Sequence, residues 1–308
     1  MSKLTVALVS IAVLGGTTGC SVKRFAINRI GDSLAGSGTT YAADDDPELV
    51  GQALPFSLKL VEGLLAESPK HRGLLLAAAS GFTSYAYGYV QQNADVIEAD
   101  NLAAATALRA RARRLYLRGR DYGMRDLEVR HPGFRALLDR DPLHAVRLAT
   151  KEDVPALYWT AAALGSAIGM SKDNPDLIAD QRIVEALIDR AFALDPDFSS
   201  GAIHGFLITY ESARQGGTGT AEARSRSHFD RVVTLTGGQL ASPFVAFAEA
   251  VSVQKQDRAG FRSLLARALA VDPDAKPEWR LANLLVQRRA RWLASREADL
   301  FADSSTRR

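Results

Sequence analysis

Apolar residues recur at three- and four-residue spacing over most of the chain. Val50, Leu54, Leu58, Val61 and Leu65 set the pattern, which returns over 70–92, 98–130, 154–169, 176–194, 199–214, 221–236, 242–255, 258–271 and 277–300. That period places the apolar side chains on one face of a helix. Alternation of apolar and polar positions, the mark of a half-buried strand, is scarce. The helical stretches are separated by a capping residue followed by proline: Ser68-Pro69, Asp141-Pro142, Asn174-Pro175, Asp195-Pro196 and Asp272-Pro273, with His131-Pro132 a weaker version. Such a side chain accepts from the free N–H groups of a first turn, and proline fits the first helical position. Asp44-Asp45-Asp46-Pro47-Glu48 is the strongest start, since it adds an acid to the first turn. The pattern predicts an all-α fold, with helices beginning at Asp195-Pro196 and at Asp272-Pro273.

Four proline sites share a longer signature. Helices close on small and aliphatic residues before Pro69, Pro132, Pro196 and Pro273, and the last two (AFALDP and ALAVDP) resemble the end of a tetratricopeptide repeat. Small residues let the second helix of a pair lie close to its partner, and proline stops it. The spacing is about twice the repeat length or more, so the expectation is a stack of about four irregular helix pairs rather than a regular array.

The first residues do not belong to that stack. Lys3 precedes an apolar run, LTVALVSIAVL, that is short for a bilayer span and suits the core of a signal peptide. Small residues then lead to Cys20, the one cysteine of the chain. This is similar to a bacterial lipobox, with Thr17 where an aliphatic residue is usual. The expected organisation is a lipoprotein signal peptide over 1–19, a lipid-anchored tether with a short helix over 20–45, and a helical domain over 46–308. Cys20 is the expected lipidation site. The absence of a retention signal at Ser21 points to an outer-membrane anchor facing the periplasm.

Composition narrows the function. The 308 residues are 47% hydrophobic, enough for a large core, and 50 alanines suit close helix packing. A formal charge of +3 gives no reason to expect a nucleic-acid partner. One cysteine excludes an intrachain disulfide and a cysteine-based zinc site. The five histidines lack metal-binding spacing, and no metal or cofactor is expected. Gly216-Gly217-Thr218-Gly219 lacks the lysine of a phosphate-binding loop and reads as a turn. Gly31-Asp32-Ser33-Leu34 matches the nucleophile motif of GDSL hydrolases, and Asp141 and His144 supply a D-x-x-H. Neither stands where that chemistry needs it, since no strand precedes the serine. The arginines from Arg109 to Arg120, and Arg288, Arg289 and Arg291, read as solvated helix faces with ion pairs, or else as contacts for an acidic partner.

Mixed aromatic and polar clusters are the best candidates for a binding site. A helix-lined cavity needs apolar area with a few polar tips, which tyrosine and tryptophan supply. Tyr85, Tyr89 and Gln92 share one helix face at four- and three-residue spacing. Tyr158, Trp159, His204, Tyr210, Glu211 and Glu249 are the candidates on neighbouring helices, with core packing and plain ion pairing as the competing readings.

Several long strings carry a family resemblance: DDDPELV at 44–50, ALPFSLKLVEGLLAESP at 53–69 and GLLLAAASGFTSYAYGYVQQNAD at 73–95. YLRGRDYGMRDLEVRHPGF at 116–134, VPALYWTAAALGSAIGMSKD at 154–173, VEALIDRAFALDPDF at 184–198 and EWRLANLLVQRRARWL at 278–293 continue it. The chain resembles the T component (TatT-like) lipoproteins of tripartite ATP-independent periplasmic (TRAP) transporters. The resemblance implies a non-enzymatic, lipid-anchored homotrimer with a ligand-accessible cavity in each protomer. It also implies a partner, the periplasmic solute-binding P component. An organic or hydrophobic ligand held or relayed through the cavity fits that reading. A scaffold lipoprotein for envelope assembly, without a small ligand, is the alternative.

Overall fold

A computed structural model describes Arg29, residues 38–171 and residues 173–302. Cys20 and Gly31 to Leu34 lie outside the described residues. Among those described there is no strand, and the expected all-α fold holds.

The N-terminal part contains α1 (Gly38–Ala42), α2 (Pro47–Glu67) and α3 (Arg72–Tyr85). Helix α3 runs through a π-helical turn, Ala86–Gln91, into α4 (Gln92–Ile97). Then come α5 (Leu102–Arg130), α6 (Phe134–Arg140), α7 (Pro142–Ala145) and α8 (Val154–Gly169), followed by α9 (Pro175–Ala179) and α10 (Gln181–Leu194). The C-terminal part contains α11 (Phe198–Ala213), α12 (Ala221–Thr236) and α13 (Ser242–Phe247). Helix α13 continues into a second π turn, Ala248–Ser252, before α14 (Arg258–Leu269), α15 (Arg280–Ser295) and α16 (Glu297–Leu300).

Capping explains most of the starts. The side chains of Asp46, Asn101, Asp141, Asn174 and Thr220 each accept from a backbone N–H in the first turn of the following helix. For Asp141 the donor is the His144 N–H, so the D-x-x-H pair is a helix cap. Gly216, Gly217 and Gly219 take positive φ in the turn between α11 and α12. Two expected starts need correction. Asp195 caps the C-terminal end of α10, and Ser199, Ser200 and Gly201 then adopt left-handed dihedrals before α11 becomes regular. Asp272 accepts from the Asp274 N–H and caps a 3-10 turn, Pro273–Ala275, rather than a long helix.

The helices pack in chain order: α2 on α3, α3 on α5, α5 on α8, α8 on α10, then α11 on α12, α13 on α14 and α14 on α15. Glycines set the closest of these approaches. A Cβ at Gly123 of α5 would fall 2.2 Å from Thr160 Oγ1 of α8, and one at Gly119 would fall 3.0 Å from the Ala79 carbonyl of α3. Two cores result. The first is built around Leu74, Tyr116, Leu127, Phe134 and Leu157, and the second around Phe229, Phe247, Phe261 and Leu293. Helix α11 serves both, giving Ile203 and Leu207 to one and Ile208 to the other.

Buried polar groups join the elements. Asp153, fully buried, lies 2.9 Å from His131 Nε2 and 3.2 Å from Arg130 Nε. Beside it, Arg72 makes a two-pronged pair with Asp126 at 2.7 and 2.9 Å. The chain also closes on itself: α15 packs on α1 and α2. Arg288 pairs with Glu48 at 2.6 Å, and Arg280 donates to the Ala43 carbonyl at 2.8 Å.

Candidate functional site: two π turns around Arg289

A π turn widens a helix locally and is frequent at functional sites. Here the two π turns meet across one arginine. Glu249, on the second turn, accepts from Arg289 of α15 at 2.6 Å. Asp95 of α4, just past the first turn, accepts from the same guanidinium at 2.9 Å. Arg109 of α5 also donates to Asp95, at 3.1 Å, and pairs with Glu98. The Arg289 side chain is 13% exposed, so its charge needs these carboxylates. Trp292 lies under it, with the guanidinium carbon 4.2 Å from the ring centroid.

A cleft of about 250 Å³ opens beside this cluster. It is lined by Gly88, Tyr89, Gln92 and Asn93 on one side and by Arg288, Arg289 and Trp292 on the other. Tyr89 stacks on Tyr85 with ring centroids 5.7 Å apart, and a Cβ at Gly51 of α2 would fall 2.6 Å from the Tyr89 ring. Burial pushes the Tyr89 phenol up to about 12, against the pull of Arg288. The Tyr89 hydroxyl and Gln92 Nε2 are buried without a hydrogen-bond partner in this chain. The Gln92 amide bears on the Tyr87 hydroxyl, but its Nε2 makes no hydrogen bond of normal geometry.

Tyr87 stands on the same π turn. Tyr87 is 45% exposed, yet the surrounding helices desolvate its hydroxyl and push it up to about 12, with Glu249 adding to the rise. Tyr158 of α8 behaves the same way: half-buried, with burial alone raising it to about 12. Tyr158 meets Trp159 edge-on at 5.0 Å and Phe198 at 5.7 Å. Further along α8, Gly165 makes room for Phe206 of α11, which stacks on Tyr210 at 5.3 Å. Tyr116, buried at the centre of α5, donates to Gln91 Oε1 at 2.5 Å, and Ser166 of α8 also hydrogen-bonds it.

The candidate residues therefore fall in separate places. Tyr89 and Gln92 share the cleft, Tyr85 backs it, and Glu249 holds the arginine beside it. Tyr158, Trp159 and Tyr210 lie on α8 and α11, where Tyr210 donates to Glu185 at 3.3 Å. His204 pairs with His228 through Nδ1 atoms 2.8 Å apart, with Phe192 edge-on to both rings. Glu211 accepts from Arg224 at 2.5 Å and Arg214 at 3.1 Å, a buried ion-pair cluster. Arg288, Arg289 and Trp292 reached the cleft without a local sequence signal, because their partners lie about 200 residues away. Most of the arginines on α5 have partners too: Arg118 pairs with Glu62, Arg120 with Asp121, and Arg111 lies over the Tyr85 ring.

Comparison with known proteins agrees with the family resemblance. The family model described as TRAP transporter T-component matches residues 43–301. An uncharacterized protein of Treponema pallidum (strain Nichols) is 32% identical over 303 residues, covering 92% of this chain and 94% of its own length. With the match running from just after α1 to the end of α16, the chain belongs to the TRAP transporter T-component family.

Proposed function

We propose that this protein is a lipid-anchored periplasmic lipoprotein that docks the solute-binding P component of a TRAP transporter and holds an organic ligand between its helices. Family membership supports a transporter accessory rather than a catalyst. The observation that carries the ligand reading is the cleft of about 250 Å³ lined by Tyr89, Gln92 and Trp292. Such a surface is apolar with a few polar tips, which suits a small organic molecule. Lipidation of Cys20, an outer-membrane location, a tetratricopeptide-like stack and a homotrimer belong to the same reading.

The scaffold alternative draws on α2. Leu49, Phe56 and Leu60 recur at seven- and four-residue spacing and are 56%, 74% and 43% exposed, an apolar stripe suited to a protein contact. One set of measurements separates the readings. Labelled palmitate should enter the wild type and not Cys20→Ser. The mature chain should sediment as a trimer and retain a periplasmic solute-binding P component. A palmitate-free, monomeric protein that retains no solute-binding protein would overturn the proposal. Retention of envelope-assembly proteins instead would favour the scaffold.

A further inference from the structure

Helix α2 is apolar on the side that it turns away from the protein. Leu58, Val61 and Leu65 belong to the first core, while Leu49, Phe56 and Leu60 stand exposed on another face. Among the described residues α2 is the one helix long and apolar enough to cross a membrane, and only 22% of its most apolar stretch is buried. It cannot cross one while its inner face packs on α3, so it can meet a bilayer only by lying along the surface. Between Glu48 and Glu67 the exposed charge is confined to Lys59. Glu62 is turned inward, where Lys59, Arg118 and the Tyr122 hydroxyl hold it.

Two observations choose what covers this stripe. The first is area. Leu49, Phe56 and Leu60 together expose on the order of 300 Å², against about 800 Å² that each side of a stable protein interface buries. The stripe is small for a folded partner or a second copy. The second is where the chain enters the fold. Tyr41 of α1 shares a hydrogen bond of 2.6 Å with Ser57 Oγ, the neighbour of Phe56 on α2. The chain arriving from Cys20 therefore joins the fold alongside the stripe. The residues from Cys20 to Gly38 reach at most about 60 Å even at full extension. An acyl anchor at Cys20 keeps α2 within reach of the headgroups, and it makes a contact too weak to hold by itself effectively intramolecular.

We propose that α2 lies parallel to a phospholipid bilayer, with Leu49, Phe56 and Leu60 in its headgroup layer and the Lys59 ammonium at the phosphates. The inference rests on the lipid-anchored reading for its geometry, and it adds how the folded domain sits on the membrane.

The test uses the full mature chain with Cys20→Ser, which carries no acyl chain, and vesicles of phosphatidylethanolamine and phosphatidylglycerol. Cys20 is the one cysteine. In that background Gln52→Cys, beside the stripe, and Leu269→Cys, on α14, each give a single attachment point for an environment-sensitive fluorophore. Vesicles should shift the emission to the blue at position 52 and not at position 269. Phe56→Ser should weaken the response at position 52 about tenfold, and Phe56→Ser/Leu49→Ser should weaken it further. Neither variant should melt lower, since both side chains are exposed in the folded protein. An unchanged emission at position 52, equal shifts at both positions, or full responses in the serine variants would overturn the proposal. A shift that grows with protein concentration in the absence of vesicles would also overturn it and give the stripe to a second copy. A shift that requires the P component would give the stripe to that partner instead. Palmitate labelling of the chain with Cys20 is read separately. If labelling fails while vesicles still shift the emission, the anchor falls and the surface contact stands. If labelling succeeds while the emission stays unchanged, only this inference falls.

Discussion

His204 and His228 face each other through Nδ1 atoms 2.8 Å apart, so one ring must donate and the other accept. Burial first, then the charge of His228, pushes His204 down to about 4, although Asp197 opposes the shift. Burial lowers His228 as well. A histidine with a folded value below the ordinary 6.5 binds fewer protons when folded than when unfolded, so stability rises with pH. This contribution is complete above pH 6.5 and is lost as the pH falls from 6.5 through about 4. Between pH 7.5 and 4.5 the loss should be about 2–3 kcal/mol, or roughly 5–10 °C in melting temperature. His204→Leu/His228→Leu should melt with a flatter pH profile; a profile parallel to the wild type would remove the pair as the cause. Asp153 makes the opposite kind of buried charge. Burial alone would raise its carboxyl, but the Thr150 N–H, His131 and Arg130 hold it below the usual range. Asp153→Ala takes the acceptor from the Thr150 N–H, from His131 and from the half-buried Arg130 and should cost about 1–3 kcal/mol, seen as a lower denaturant midpoint at neutral pH.

Helix boundaries follow local chemistry where a cap is free to act. The stretches expected at 154–169 and 221–236 match α8 and α12 residue for residue. Asp46→Ala should cost about 0.5–2 kcal/mol, since it removes the acceptor for the Leu49 N–H. Asp195→Ala should cost less, because Asp195 caps no helix start and makes a looser 3.5 Å pair with Lys151. Equal losses for the two would contradict this assignment. The π turns were hidden in the sequence, because a widened turn needs no special residue and its extra room is set by what packs against it. Gly119 and Gly123 are also a matter of packing. Gly119→Ala would press a Cβ against the Ala79 carbonyl and Thr83 Oγ1, and it should destabilise by about 1–3 kcal/mol. Gly63→Ala, with open space around the added carbon, should not. Thermal melting of the two variants side by side checks the contrast.

Across the whole molecule, α15 ties the end of the chain to its beginning. Arg289 bridges Asp95 of α4 and Glu249 of the second π turn, while Arg288 and Arg280 reach α2 and the segment after α1. Arg289→Met keeps much of the side-chain volume but takes the guanidinium from Glu249 and leaves Asp95 with Arg109. Removing one partner of a largely buried cluster costs on the order of 3 kcal/mol. Hydrogen exchange in α15 and α4 should quicken together in this variant, while α8 and α10 stay protected. Uniform exchange across all four helices would mean that Arg289 supports the whole fold rather than this closure.

The sequence by itself determined the helices, most of their caps and the family. Period, propensity and capping act over a few residues, so they can be read along the chain. Tyr89 and Gln92 were legible as neighbours for the same reason, since four- and three-residue spacing puts Tyr85, Tyr89 and Gln92 on one face. Only the tertiary structure decided which faces meet. It brought Arg288, Arg289 and Trp292 to Tyr89 and Gln92, gave Glu249 to Arg289, and turned Glu211 into an ion-pair partner. It also separated Tyr158, Trp159 and Tyr210 from the cleft. The cleft depends on the closure of α15 onto α2, which is set by packing between residues about 200 positions apart and leaves no local periodicity to read.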